Sequence, residues 1–330
     1  MGYVTTFLYS QLFVKLPYPQ SDFSDQVVIV TGSNTGLGLE AVKHLVRLGA
    51  ARVILAVRSE SKGQAAVEQV VAATKCSPKR LDVWPLDLSS YQSIKQFGER
   101  VRTLDRLDAV IQNAGILTTK WALAEDNESH ITTNVISPML IGLEVLPKLR
   151  ESAQKTGLRG RLAFVGSDLQ YIAKFSEKKH GASLFAALNK REIADMDDRY
   201  KVSKLLLLYG VRALAQLSPL TPESNVIIDN LTPGACKSDI FRDDVNWFQR
   251  IMMNLAISLI ARTTEQGSRT LVHAVKPELG PEAHGAFLMD CKVAPNGANV
   301  DGPENAKLQD RFREELFARL EQISPGITKL

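Results

Sequence analysis

The stretch Val27-Val28-Ile29-Val30-Thr31-Gly32-Ser33-Asn34-Thr35-Gly36-Leu37-Gly38 is an apolar run that ends in three spaced glycines. Val27 to Thr31 has no polar alternation, the pattern of a strand covered on both faces. Leu37 to Leu48 follows with helical period. Glycine between a strand and a helix allows a tight turn and lets backbone N–H groups approach a phosphate, which the positive end of the helix also favours. No Gly-Lys-Ser/Thr follows the last glycine, so this is not a phosphate loop of the Walker type. The stretch predicts dinucleotide binding at the carboxyl end of a first strand.

Working outward, strand-length apolar runs alternate with helical stretches. Strands are predicted at 52–57, 80–86, 109–112, 161–165, 225–229 and 286–289, and helices at 63–74, 91–104, 128–150 (kinked at Pro138), 200–217 and 305–323. Such alternation predicts right-handed βαβ units and an α/β fold: a single, doubly wound domain with a parallel sheet of about seven strands. Residues 25–330 form that domain, and residues 1–24 an N-terminal docking segment. Two segments break the rhythm. Residues 168–199 are too long for an ordinary connection, and residues 239–261 carry Phe241, Trp247, Phe248, Met252 and Met253 at roughly helical spacing. Both are expected to cover the substrate.

Composition narrows the function classes. The 330 residues carry 40 Lys and Arg against 36 Asp and Glu, a net charge of +4. No basic block marks a nucleic-acid partner. Three cysteines (Cys76, Cys236, Cys291) and five scattered histidines have no metal-ligand or disulfide spacing. Reduced thiols and a cytoplasmic location are the expectation, ahead of a peroxisomal one suggested by Thr328-Lys329-Leu330. The apolar start, Met1 to Val14, is too short to span a bilayer. It is read as a helix docked on the domain, with a peripheral membrane contact as the alternative.

Further along the chain, Asn113-Ala114-Gly115 ends the fourth strand, Asn134 lies in the following helix and Ser167 ends the fifth strand. Tyr200-Lys201-Val202-Ser203-Lys204 opens a helix, and Pro233-Gly234 with Ser238 follows the sixth strand. Tyr200 and Lys204 are four apart and so share a helix face. A phenol's ordinary pKa is near 10, too high for ready proton exchange at neutral pH, and a neighbouring ammonium lowers it. Ser167 can hold a substrate oxygen against Tyr200, which gives a proton in reduction and takes one in oxidation.

The spacing TGxxxGxG, with NAG, YxxSK and the Pro-Gly turn in order, resembles the short-chain dehydrogenase/reductase family from about Asp25 to Leu288. Among its members the chain looks most like retinol-dehydrogenase-type and fungal biosynthetic enzymes. Gln112 stands where the family usually has Asn. The resemblance implies a Rossmann-type fold and catalysis by Asn134, Ser167, Tyr200 and Lys204. It also implies that Asn134 holds a water linking Lys204 to solvent. The cofactor would be held by Gly32, Asn34, Gly36, Leu37, Gly38, Asn113, Ala114, Gly115, Pro233, Gly234 and Ser238, with Tyr200 and Lys204 at the nicotinamide ribose and Asp87-Leu88 at the adenine.

Cofactor choice turns on Ala56-Val57-Arg58-Ser59. The second strand ends without the acid that suits ribose hydroxyls, while Arg58 and Lys62 suit a 2′-phosphate, so NADP(H) is predicted in preference to NAD(H). The long insert before Tyr200 and the Ala56-Val57-Arg58-Ser59 segment resemble those of retinol-dehydrogenase-type and fungal biosynthetic members, which implies a bulky, lipophilic ketone or alcohol as substrate. Two other readings are weighed. An epimerase or dehydratase would resemble members with a TGxxGxxG loop, which this loop is not. A dinucleotide sensor on the same fold would not need the Asn134, Ser167, Tyr200 and Lys204 set. The apolar helix containing Leu205 to Leu208 must be covered all round, by a second subunit in a homodimer or by the C-terminal helix with Leu308, Phe312, Leu316 and Leu320 on one stripe.

Overall fold

The computed structural model describes residues 2–181, 183–237 and 260–330. Seven parallel strands form its centre: β1 (Val27–Thr31), β2 (Arg52–Val57), β3 (Leu81–Pro85), β4 (Ala109–Gln112), β7 (Gly160–Val165), β8 (Val226–Thr232) and β9 (Phe287–Met289). Their order across the sheet is β3-β2-β1-β4-β7-β8-β9, and β10 (Lys292–Val293) adds an antiparallel edge. A separate hairpin pairs β5 (Leu123–Ala124) with β6 (Asn127–Glu128). The order reverses direction between β1 and β4. A crevice opens at such a switch point, at the carboxyl ends of the strands.

The central strands are buried because helices cover both faces. α2 (Gly36–Arg47), α3 (Glu60–Thr74) and α9 (Thr264–His273) enclose one apolar cluster with Val28, Val30, Leu55 and Ile227. α4 (Tyr91–Arg102), α6 (Ser137–Thr156) and α8 (Met196–Leu217) enclose the other with Ile29, Val110, Phe164 and Ile228. α10 (Pro303–Ile323) lies on α8, where Phe312, Leu316 and Leu320 are fully buried in the same cluster as Leu205 to Leu208. Within one chain, the C-terminal stripe covers the apolar helix.

Several expectations shift in detail, and the helices expected from 63 and from Tyr200 begin at Glu60 and Met196. The strand expected at 225–229 runs to Thr232, because both β7 and β9 pair with its last residues. The helix expected from 128 is α5 (Ser129–Ile131), a π-helical turn (Thr132–Ile136) and then α6. Its irregularity therefore falls at Asn134 rather than Pro138, which sits in the first turn of α6 where proline is tolerated. The insert at 168–199 holds three short 3-10 turns and α7 (Leu184–Leu188), followed by the first residues of α8. Glu315 of α10 pins it, accepting from Ser183 Oγ, Leu184 N and Phe185 N at 2.8, 2.9 and 3.2 Å. Of residues 239–261, expected as a second cover, all but the last two lie outside the described residues.

The chain begins with α1 (Tyr3–Phe13). Beyond it Arg269 donates to Leu16 O at 2.9 Å, and the guanidinium groups of Arg47 and Arg269 lie 4.4 and 5.1 Å from the Tyr18 ring centroid. No helix of the described residues is long and apolar enough to cross a membrane.

Candidate active site

A cleft of about 600 Å3 opens over the carboxyl ends of β1 to β4. Gly32, Asn34, Gly36, Leu37, Arg58, Lys62, Asp87, Leu88, Asn113, Ala114 and Gly115 line it. Gly32 has a φ of +63° and a Cβ on it would stand 2.9 Å from Ala114 Cα, so only glycine lets the β1 turn and the β4 turn approach this closely. Thr31 Oγ1 accepts from the amides of Asn113 and Ala114, both at 3.0 Å. Asn113 Nδ2 donates back to Thr31 O and Gly32 O. Gly38 lies behind the loop, where a Cβ would press on Asn113 Nδ2, Gly32 O and Ser33 Cα. The loop is thus a stiff cradle whose open side faces the cleft at Gly36, where a Cβ would meet nothing. The cradle and the cleft size fit a dinucleotide.

Arg58 is exposed at the end of β2, and Lys62 lies in the first turn of α3. Among the described residues neither makes an ion pair. Glu60, the nearest acid in sequence, is the first residue of α3.

The residues expected to carry chemistry lie beside this cleft. Asn134 is turned by the π-helical segment so that its side chain accepts from Ile116 N and donates to Ile116 O, both at 2.9 Å, and also donates to Ser203 Oγ at 3.1 Å. Lys204 is buried, and its Nζ donates to Val165 O at 2.7 Å. A Cβ on Gly115 would stand 3.1 Å from Asn134 Oδ1 and 3.8 Å from Lys204 Nζ, so these three positions converge. Lys204 Nζ lies 5.6 Å from the centroid of the Tyr200 ring. Burial lowers the Lys204 amine to about 8. Pro233 and Gly234 form the turn after β8, and Gly234 has a φ of +72°. Ser238 lies outside the described residues.

Tyr200 departs from the electrostatic expectation. Its phenol is raised, not lowered: burial dominates, the Asp168 carboxylate adds to it, and the Ser167 hydroxyl opposes both through a hydrogen bond. The Lys204 ammonium, turned to Val165 O, does not offset this in the protein alone. Desolvation therefore favours the protonated phenol.

Asp168 was not singled out from the sequence, where it reads only as the start of an insert. Its carboxyl is buried directly after Ser167 and accepts from Tyr3 at 3.3 Å and Thr232 at 3.4 Å. Burial raises its pKa. A second missed group lies behind Tyr200. Glu128, His130, Glu177 and Arg199 are all buried; Arg199 pairs with Glu177 at 2.9 Å, and Glu128 binds His130 at 3.0 Å. His130 meets the Tyr200 ring edge-on at 6.4 Å. Residues so far apart in sequence have no local signature. Lys201 is turned away, to Asp197 O and Asp198.

A parallel sheet with a glycine cradle at its switch point, and a Tyr-Ser-Lys-Asn group beside it, defines a dinucleotide-dependent oxidoreductase of Rossmann type. The sequence pattern of the short chain dehydrogenase family matches residues 26–192. The chain is 41% identical over 326 residues to the short chain dehydrogenase/reductase dmxR8 of Cryptosporiopsis sp., covering 98% of both chains. It is 42% identical over 291 residues to the short chain dehydrogenase atnD of Emericella nidulans, covering 88% of this chain and 91% of that one. Among solved structures, NADPH-bound carbonyl reductase from chicken fatty liver superposes with a TM-score of 0.57 at 26% identity, covering 83% of this chain and 96% of that one. The chain belongs to the short-chain dehydrogenase/reductase family, whose members are nicotinamide-dependent oxidoreductases acting on alcohol and carbonyl groups.

Proposed function

We propose that this protein is an NADP(H)-dependent oxidoreductase that interconverts a ketone and an alcohol on a lipophilic small molecule, with Tyr200 as proton donor and acceptor. The observation that carries the reading is the Tyr200 ring set 5.6 Å from the Lys204 amine, with its phenol hydrogen-bonded to Ser167. When bound, the nicotinamide supplies or accepts the hydride. Ser167 hydrogen-bonds the substrate oxygen, and Tyr200 delivers its proton to that oxygen in reduction. Lys204 holds the ribose end of the cofactor, and its positive charge stabilises the phenolate that Tyr200 becomes. Asn134 fixes the strand-to-helix geometry around Gly115 and Ile116 and holds the water through which the proton is replaced.

Arg58 and Lys62, unpaired on the cleft wall, supply charge-assisted hydrogen bonds for a 2′-phosphate. A homologous structure binds NADPH, and the absence of an acid at the end of β2 agrees with that choice. Fluorescence titration with NADPH and NADH tests it. NADPH binds more tightly, and Arg58→Asp reverses the order; equal affinities in the unaltered protein would refute the 2′-phosphate assignment. Tyr200→Phe lowers turnover by about 10²–10⁴-fold while NADPH binding persists, in keeping with the usual contribution of a positioned acid. Turnover that survives Tyr200→Phe would remove the tyrosine from the reaction.

A further inference from the structure

Helix α1 is built inside out. Its two buried residues are Ser10 and Gln11. Val4, Tyr9, Leu12 and Phe13 stand 66, 59, 53 and 72 % exposed. A helix docked for stability alone turns its apolar stripe inward. α1 is instead tied down by polar contacts. Ser10 Oγ donates to Asp290 at 2.9 Å, and Arg262 Nη2 donates to Ser10 O and Asp290 at 2.8 and 2.7 Å. At its other end Tyr3 donates to Asp168, the residue next to Ser167.

The Gln11 side chain is left over. It is 9 % exposed, and among the described residues neither its amide nitrogen nor its amide oxygen has a hydrogen-bond partner. A buried polar group left unpaired destabilises the fold, which selection removes unless something uses the group. The amide lies on the turn after β8: a Cβ on Gly234 would stand 2.3 Å from Gln11 Nε2. That turn is at the carboxyl end of the sheet, the side on which such folds bind ligands. Tyr3 and Gln11 are eight positions apart, roughly 12 Å along the helix axis at about 1.5 Å per residue. The contacts of α1 therefore run from Asp168, next to Ser167, to the turn after β8.

We propose that α1 is a wall of the substrate site and that Gln11 is a specificity-determining residue, its amide hydrogen-bonding a second oxygen of the lipophilic substrate, a hydroxyl or carbonyl remote from the carbon that exchanges hydride. The inference rests on the hydride-transfer reading above. An amide both donates and accepts, so it satisfies either oxygen type. A site built around such a bond discriminates strongly against an analogue that lacks the oxygen, because the protein group is then left unpaired.

The test uses the full chain with NADPH and matched two-ring and three-ring aromatic ketones, with and without a ring hydroxyl, comparing the unaltered protein with Gln11→Met. Methionine has nearly the shape of glutamine without its polar atoms. The unaltered protein favours the hydroxylated ketone by about tenfold or more in kcat/KM, expressed chiefly in KM. In Gln11→Met that ratio falls to near one, while the NADPH dissociation constant stays within about twofold and the melting temperature is unchanged or raised, since a buried unpaired amide has been removed. A melting temperature lowered by Gln11→Met would show a structural bond to the amide and overturn the proposal. A ratio unchanged by the substitution, or no preference in the unaltered protein, would overturn it and leave hydride transfer standing. No turnover of any ketone by the NADPH complex would overturn the hydride-transfer reading, and this inference with it.

Discussion

At the scale of single residues, the site is governed by burial acting on groups of opposite charge type. Burial raises the Tyr200 phenol and lowers the Lys204 amine, in each case favouring the neutral form. The two effects give the reaction a direction with pH. In the proposed mechanism, reduction uses the protonated phenol of Tyr200 and the Lys204 ammonium. Tyr200 stays protonated far into the alkaline range, whereas Lys204 loses its proton near about 8. The reductive kcat/KM is therefore expected to be flat at neutral pH and to fall as pH rises through that value. In Lys204→Arg, whose guanidinium does not titrate there, the alkaline fall should vanish along with most of the rate. A wild-type profile that stays level well past pH 9 would show that Lys204 does not control the step.

At the scale of elements, short irregular pieces are held by single side chains from elsewhere. The insert at 168–199 buries Leu184, Phe185 and Leu188 but has little regular structure of its own. One tie is Glu315, which collects three donors at the start of α7. Truncating the acceptor of several partly buried bonds costs about 1–3 kcal/mol. Glu315→Ala should lower stability by that order and speed hydrogen exchange at Leu184 and Phe185, leaving β1 and β4 protected. Uniform loss of protection across the sheet would mean that the insert and the core open together. The π-helical turn at Thr132–Ile136 is a second case. It rotates Asn134 toward Ile116 and Ser203, a placement that a regular helix through Pro138 does not provide.

At the scale of the whole molecule, the C-terminal helix completes the core from outside the dinucleotide fold. Phe312 is fully buried between Phe185 and Tyr209, with ring centroids 5.8 and 6.1 Å away. It joins the insert, α8 and α10 in one cluster. Phe312→Ala should cost about 3–5 kcal/mol through lost contacts and the cavity left behind. Chemical denaturation reads this as a lowered midpoint at constant slope. Loss under about 1 kcal/mol would mean that α10 relaxes onto α8 without it.

Much of this was legible in the residues. Val27 to Gly38 specifies a strand, a turn and a helix through local period and glycine conformation, which need no partner to be recognised, and Tyr200 with Lys204 falls on one face by helical spacing alone. A parallel sheet of about seven strands followed from the alternation of elements. By itself, then, the amino-acid sequence determined the fold class, the cradle and the family. Tertiary structure alone decided what meets what over long separations: Tyr3 with Asp168, Gln11 with Gly234, Glu128 and Glu177 with Arg199. It also reversed the sign of the shift at Tyr200, because desolvation depends on everything packed around a group and not on the charge four residues away. Local periodicity carries secondary structure; burial and long-range pairing are properties of the folded chain, and no short window of sequence contains them.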